Sequence, residues 1–390
     1  MRFRYGHASH TDWRVATELC LAQVLGSDDK QKSGVRGNLG VMYFTEALAP
    51  YASDILLELR MRTGVVDWVG SVGIGIIATG VEYMDEPALS IMLGLFPVGS
   101  VRVFSGLTPP PALDACTPSG ALAASSALVH ADPLTADLSD LLIDMSGKLA
   151  SGRLFGGLAS SRRNTVLVAN GCLSGGLSGA VFSSEVELHT GVTQGCHPLA
   201  GVHTVTRGND NLIAELDGRP ALDVLLEDCN VTESAGGAAT VQREMLVHTV
   251  RHTFCGLLST PASRWGDALV RPLIGVDPQH RVLAIGDTVV QGMSLQFCKR
   301  DARSARLDLV RVCTELRALC EERPGGMADV RGAIYISCLG RGSSLFGEES
   351  AELRLIRAQL GELPLVGFFA NGEIAADRLY GYTGVLTLFF

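Results

Sequence analysis

A chain of 390 residues carries 32 Lys and Arg against 41 Asp and Glu, for a net charge of −9, and is 47% hydrophobic and 19% charged. That length predicts two or three domains with ample core, the composition excludes a disordered chain, and no Lys/Arg block points to nucleic acid as a partner. Mean hydropathy is +0.25, yet the most apolar stretch, Trp68–Val81, spans 14 residues with four glycines among them. A spanning helix needs roughly 20 apolar residues, so no membrane partner is expected. The N-terminus lacks the apolar run of a secretory signal, and a cytoplasmic location is expected. The 10 cysteines show no CxxC and no zinc spacing, and read as small buried hydrophobes of a reducing compartment.

Along the chain, Asp12 is placed to cap a helix carrying Val15, Leu19 and Ala22 on its apolar face. Residues 26–37 are polar and read as loop. Leu39–Phe44 reads as a buried strand, a helix through Ile55 and Leu59 follows, and Val65–Val69 is the next strand, which is β-α-β grammar. Pro109, Pro110 and Pro111 mark a loop ahead of a helix at Leu138–Leu149. Thr165–Val168, Gly179–Phe182 and Glu185–Leu188 are short β-type runs whose tight turns imply antiparallel pairing. Pro220–Glu227 reads as a helix with Pro in its first turn. The acidic, Gly-rich stretch 227–238 reads as a domain boundary. Strands are expected near Leu273, Val282–Ile285 and Leu295, then a helix over Asp301–Glu322 burying Leu307, Val310, Cys313, Leu316 and Cys320.

The two ends of the chain echo one another. Val69, Gly70, Gly75, Ile77 and Tyr83 recur at one offset, 297, as Val366, Gly367, Gly372, Ile374 and Tyr380. Upstream of each lies a strand followed by a helix, Val41–Phe44 in the first copy and Ile334–Ser337 in the second. This order predicts internal duplication. The expected architecture is α/β with mixed sheets: two related modules, each a mixed sheet flanked by helices, divided as 1–35, 36–230 and 231–390.

Chemistry is expected where the Ile334–Ser337 strand runs through a Gly-rich loop into a helix whose first turn holds Glu348, Glu349 and Glu352. Backbone N–H groups in such a loop, beside Arg341, suit an anionic ligand group. The spacing is not a dinucleotide fingerprint, since Leu345 stands where a third Gly or Ala belongs, and no Walker Lys follows. A tight turn with a surface Arg is the competing reading. Asn371 and Glu373, beside Phe368, Phe369 and Tyr380, offer polar groups in a partly apolar wall, against a plain Asn-Gly turn with a solvated Glu. Cys196 and His197 are adjacent on an extended segment and point to opposite faces, which argues against a catalytic dyad. Arg219 faces either a ligand or Asp217. His7, His10, His189, His197 and His203 are the histidines able to serve as haem axial ligands.

Four ordered stretches resemble the FIST sensory family: Gln194–Leu199, Glu215–Leu222, Cys338–Gly347, and Pro364–Ile374 continuing through Tyr380–Leu386. The resemblance covers residues 36–390, with a FIST N-like module at 36–230 and a FIST C-like module at 231–390. It implies a non-enzymatic signal-transduction input module for small ligands such as amino acids, with output passed to a separate protein. Some members are similar to haem-based nitric oxide sensors acting on a histidine kinase, and this makes haem the cofactor to test, with His189, His197 or His203 as axial ligand. His197 stands where many relatives have Arg, and Val72–Ile77 replaces a small polar run. The expected ligand site is then Arg341, Gly342 and Ser343 for an anionic group, Asn371 and Glu373 for a polar or amino group, and Phe346 and Tyr380 as walls. A protein-interaction scaffold without a ligand, and a hydrolase acting through Cys196, are the remaining alternatives.

Overall fold

The computed structural model describes residues 3–26, 37–106, 124–231, 239–258, 260–262, 265 and 268–390. Most of the loop read at 26–37, the Pro109–Pro111 loop, and the 232–238 part of the acidic boundary lie outside the described residues. By packing, the chain forms two compact units, Met1–Thr193 with Asp308–Phe390, and Gln194–Leu307. This partition differs from the modules read at 36–230 and 231–390, because the last strands of the chain pair with strands from its first half.

In the first unit, β1 (Arg4–Ser9), α1 (Trp13–Leu25), β2 (Leu39–Thr45), α2 (Ala52–Thr63), β3 (Trp68–Gly73), β4 (Gly75–Ala78), β5 (Val81–Met84) and β6 (Ala88–Gly94) form one repeat. A second contains β7 (Val101–Phe104), β8 (Ala124–Ala131), α3 (Leu138–Gly147), β9 (Arg153–Leu158), β10 (Leu167–Ala169), β11 (Cys172–Leu173) and β12 (Leu177–Ser183). β13 (Leu188–Gln194) opens a third. The second unit intervenes with β14 (Cys196–Pro198), β15 (His203–Asn209), β16 (Leu212–Leu216), β17 (Arg219–Pro220), α4 (Ala221–Asp228), α5 (Ala239–His252), β18 (Phe254–Leu258), β19 (Leu269–Asp277), β20 (Val282–Ile285) and β21 (Ser294–Arg300). After α6 (Ala302–Glu321), the third repeat resumes with β22 (Gly332–Cys338), α7 (Gly342–Phe346), α8 (Ala351–Leu360), β23 (Leu365–Ala370), β24 (Glu373–Ala375), β25 (Arg378–Tyr380) and β26 (Thr383–Phe389).

The repeats build three six-stranded mixed sheets, β1-β6-β2-β3-β10-β11, β7-β12-β8-β9-β24-β25 and β13-β26-β22-β23-β4-β5. Each has a parallel central pair joined by a helical crossing, β2/β3, β8/β9 and β22/β23. The hairpin after the second parallel strand leaves its own sheet. β4/β5 extends β23, β10/β11 extends β3, and β24/β25 extends β9, so the three sheets exchange hairpins in a cycle. The final strand of each repeat returns antiparallel to the first of the parallel pair.

The echo at offset 297 is therefore structural, and there is a third copy beside the two read in sequence. Its cause is a close backbone approach: a Cβ on Gly70, Gly156 or Gly367 would lie 1.8, 1.9 or 1.7 Å from the carbonyl oxygen of Met42, Val129 or Tyr335, its partner across the parallel pair. Only glycine fits. The second repeat writes this position as Phe155-Gly156, without the valine that makes the other two copies alike.

Residues from all three sheets share one core, among them Tyr43, Leu128, Phe155, Phe182, Ile336 and Phe368. Burial of this kind, at roughly 25 cal/mol per Å² of apolar area, is the main stabilising term. The core holds an apolar cavity of about 10 Å³ lined by Phe3, Val41, Leu128, Phe182, Ile334 and Phe389. His130 is also wholly buried there. Tyr43 Oη is 3.0 Å from its Nε2, Nδ1 has no partner, and burial pushes its pKa down to about 3, so the ring is neutral.

In the second unit, β21-β15-β16-β20-β19-β18 closes back on β21, all pairs antiparallel, with β14 beside β21 and β17 beside β16. Closure removes free edges. The interior is apolar, with Ile213, Leu216, Cys255, Leu283, Ile285 and Phe297 buried.

Several sequence expectations need correcting. Asp12 does cap α1, its Oδ1 accepting from Arg14 N at 2.8 Å, but the buried face is Ala16, Cys20, Leu21 and Val24, while Val15, Leu19 and Ala22 are exposed. A Cβ on Gly6 of β1 would lie 2.4 Å from Cys20 O, so α1 approaches the sheet on its Cys20 side. In α6, Cys313, Leu316 and Cys320 are buried as expected, whereas Leu307 is 63% exposed and Val310 half-buried; Ala305, Leu309 and Val312 take their places. Glu185–Val186 lies in a turn rather than a strand, and β8 and β9, rich in Ala, Ser and Gly, went unread. Burial on both faces permits such small residues in a parallel pair.

Candidate functional site

The third repeat ends its parallel pair β22/β23 in a buried polar cluster. β22 alternates: Tyr335 and Ser337 project to one side while Ile334 and Ile336 enter the apolar core. The chain leaves β22 at Cys338 and turns through Arg341, with Arg341 N donating to Cys338 O at 2.8 Å. α7 follows, only five residues long, and ends in a left-handed glycine, Gly347. The expectation that Glu348, Glu349 and Glu352 share one first helical turn is corrected: Glu348 and Glu349 are exposed between the two helices, and Glu352 alone lies in the first turn of α8.

Arg341 is not a surface residue. It is 1% exposed and Glu352 is fully buried. Nε donates to Glu352 Oε1 at 2.7 Å, and Nη2 lies 2.6 Å from the same oxygen. Tyr335 Oη donates to that oxygen at 2.5 Å, while Ser337 Oγ and Gly342 N approach Oε2 at 3.0 and 3.4 Å. The guanidinium also lies over the Phe346 ring, 5.3 Å from its centroid, a cation–π contact. Burial and the facing carboxylate push the Tyr335 hydroxyl well above its usual range. For Arg341, burial works against the charge, but Glu352 more than offsets it and the guanidinium stays protonated.

Two further carboxyls reach this cluster on exchanged hairpins. Glu373, on β24, is fully buried; its Oε2 accepts from Thr383 N at 3.1 Å and Thr383 Oγ1 at 2.7 Å. Its pKa is pushed up to about 8 by burial, despite opposing contributions from Thr383, Arg341 and the Cys338 thiol. The side chain is therefore mostly a neutral acid at pH 7. Glu82, on β5, accepts from Ser343 N at 3.1 Å, and burial followed by repulsion from Glu352 and Glu349 pushes its pKa up as well. Four buried polar atoms of the cluster make no hydrogen bond: Arg341 Nη1, Arg341 Nη2, which is still within ion-pair distance of Glu352, Glu373 Oε1 and Glu82 Oε2.

Of the residues expected at the ligand site, Arg341, Gly342, Phe346 and Glu373 meet in this cluster, and Ser343 touches it through its backbone. Asn371 is exposed in the β23–β24 turn, its N donating to Leu158 O at 3.0 Å. Tyr380 is half-buried on β25, opposite Glu373 in the hairpin register. Sequence reasoning placed Glu352 beside the loop without a role and missed Tyr335, Ser337 and Glu82. Tyr335 and Ser337 left a signal, a polar i, i+2 pair inside an apolar strand.

Each histidine considered as a haem axial ligand has neighbours of its own in the fold. His203 has both nitrogens engaged, Nδ1 at 2.6 Å from Asp217 and Nε2 at 2.9 Å from Asp228. His197 Nδ1 lies 2.6 Å from Asp301 and 3.3 Å from Ser304 Oγ. His189 Nε2 is 3.5 Å from Glu187, with its ring edge-on to Phe390. His7 is bonded to Tyr83 Oη, and His10 Nδ1 to the backbone of Asp12. Axial ligation by His203 would break a two-carboxylate clamp. Among the described residues no group of three or more His, Cys, Asp or Glu is placed to hold a metal ion. Arg219 pairs with Glu227 at 2.7 Å rather than with Asp217, and Cys196 is buried while His197 is half-buried, on opposite faces of β14. No described helix is long and apolar enough to cross a membrane.

The cluster lies at the carboxyl end of the parallel strands β22 and β23, the end at which open α/β sheets place their ligand sites. A FIST N domain model matches residues 38–219 and a FIST C domain model matches residues 221–376. The chain is 30% identical over 403 residues to an uncharacterised protein of Mycobacterium bovis, covering 100% of this chain and 99% of that protein. It is 29% identical over 408 residues to an uncharacterised protein of Mycobacterium tuberculosis H37Rv, covering 100% of both. This chain belongs to the FIST family, whose domains are sensory domains of signal transduction.

Proposed function

We propose that this protein is a sensory input module that binds a small polar ligand at the cluster of Arg341, Glu352 and Glu373 and passes the change to a separate signalling protein. One observation carries the reading: Arg341 Nη1 and Glu373 Oε1 are wholly buried and unpartnered. Leaving a buried polar group unsatisfied costs about 1–3 kcal/mol, more for a charged one, and native proteins keep few of them. A ligand donating to Glu373 and accepting from Arg341 removes both deficits.

The exchanged hairpins supply a route for output. Glu82 belongs to the first repeat, Glu373 is carried on a hairpin paired with β9 of the second, and Arg341 belongs to the third. A ligand engaging all three side chains alters the restraint between three sheets at once, and sensing requires a difference in affinity between two such arrangements. The cluster is set apart from the matching crossings of the other repeats. There Glu46 is met by Arg162 and Ser161, and Asp132 by the backbone N–H groups of Leu134 and Gly175.

The test is to denature the purified protein, identify the released small molecules by mass spectrometry, and titrate each back while following the melting temperature. A ligand that raises the melting temperature of the native chain, and loses that effect in Arg341→Met, supports the reading. An unchanged shift in Arg341→Met refutes it.

A further inference from the structure

The charges of the cluster specify more than a polar ligand. One guanidinium, Arg341, and three carboxyls, Glu352, Glu373 and Glu82, gather there beside the Tyr335 hydroxyl and the Cys338 thiol. Glu352 already claims the guanidinium through two of its nitrogens, at 2.7 and 2.6 Å. That pair is neutral overall. What remains is two buried carboxyls, Glu373 with the already paired Arg341 as the cation facing it and Glu82 facing Glu352 and Glu349, each with an oxygen that makes no hydrogen bond, and the unbonded Nη1 of Arg341. An anionic ligand group would enter among three carboxyls with a single spent cation to receive it. A cationic group would meet a vacant carboxyl oxygen at Glu373 or at Glu82, and buried charges are tolerated when paired.

We infer that the cluster recognises an organic cation, an ammonium or guanidinium group, held by Glu373 with Glu82 adding negative charge to the cluster, and that a carboxylate on the ligand is not required for binding. This rests on the reading of the cluster as a ligand site and specifies the chemistry of what it takes. The expectation that Arg341 binds an anion is replaced by a positioning role: Arg341 holds Glu352 and offers Nη1 to a neutral acceptor, such as a hydroxyl or carbonyl oxygen of the ligand. Among residues flanking the cluster in the chain, Asn371 is exposed and Ser343, Tyr380 and Tyr382 are half-buried.

Proton balance gives the inference a second signature. Glu373 faces Arg341 from the loop before α7, Cys338 from β22 and Thr383 from β26. Arg341 in turn faces Glu352 of α8 and Tyr335 of β22, and Glu82 faces Glu352 and Glu349. In this setting Glu373 carries its proton at neutral pH. When an ammonium docks, the carboxyl ionises, the O–H proton passes to solvent, and the ammonium keeps its own. Binding therefore releases protons, and affinity rises with pH until Glu373 is already ionised or the ligand amine loses its charge.

The experiment uses the full chain and calorimetric titration with four amines, each beside its parent amino acid: putrescine with ornithine, agmatine with arginine, histamine with histidine, and tyramine with tyrosine. The expected result is an amine that binds about tenfold or more tightly than its parent, gains affinity from pH 6 to pH 8, and loses about tenfold or more in Glu373→Gln. Glu82→Gln gives a second reading should Glu373→Gln fail to fold. Tighter binding of the parent amino acids, no binding by any amine, or equal affinity in both variants overturns the inference. Amino acid binding that is lost in Arg341→Met overturns it while leaving the ligand-site reading intact; binding indifferent to Arg341, Glu373 and Glu82 alike removes both.

Discussion

Replacing Glu373 by Gln tests the electrostatics of the cluster apart from any ligand. The wild-type carboxyl has an ordinary value of 4.5 and a folded value of about 8. Between these limits the folded protein holds a proton that the unfolded chain has released, so stability falls as pH rises through that window and is constant above it. The slope is roughly 1.4 kcal/mol per pH unit at its steepest, and over the 3.5 units from 4.5 to 8 the loss is at most about 5 kcal/mol. Gln has the same shape, satisfies Thr383 through its carbonyl oxygen, and does not titrate. Urea unfolding of both proteins at pH 5, 6, 7 and 8 should give curves that agree near pH 5 and diverge steadily toward pH 8, with Glu373→Gln the more stable. Because every other titrating group is shared, the difference isolates Glu373. Parallel curves across the range would refute the assignment of a neutral, unpartnered acid at this position.

Arg341→Met leaves Glu352 buried without its cation and should cost about 3–5 kcal/mol; adding Glu352→Gln should restore part of that loss, read by urea midpoints in a double-mutant cycle. At Gly384 a Cβ would lie 2.3 Å from Tyr335 Oη, so Gly384→Ala should push that hydroxyl off Glu352 and lower stability by about 1–3 kcal/mol, a change visible in thermal unfolding. The His203 ring is held by Asp217 and Asp228, and these carboxylates outweigh its desolvation and raise its pKa. A raised histidine contributes stability that is fully present below its ordinary value of 6.5 and is lost as pH rises through the folded value. His203→Gln should abolish that loss in unfolding measured from pH 6 to pH 9.

Much of the secondary structure was legible locally. The uninterrupted apolar run of β2, the Asp12 cap, Pro220 at the head of α4 and the long periodic α6 are each written in residues a few positions apart, where steric and hydrogen-bonding preferences act directly. The duplication was legible as well, since Gly70 and Gly367 answer the same backbone contact. Its third copy was not, because Gly156 satisfies that contact in a different residue context. The exposed faces of α1 and the first turns of α6 were misjudged for a related reason: apolar periodicity names a helix, while the neighbours that cover it select which side is buried.

The position of Arg341 in a Gly-rich loop after a strand, and of Glu373 after an Asn-Gly turn, could be read from the sequence alone, as could the FIST signatures that contain them. Tertiary structure decided what those residues are. It buried Arg341 against Glu352, 11 residues further along the chain, and brought Glu82 from 261 residues away to the backbone of Ser343. Charge pairing in a protein depends on distance and dielectric, and neither is encoded in spacing along the chain. Only when the hairpins exchange between sheets do Glu82, Glu352 and Glu373 gather around Arg341, and it is that gathering, not the spacing along the chain, on which the proposed preference for a cation rests.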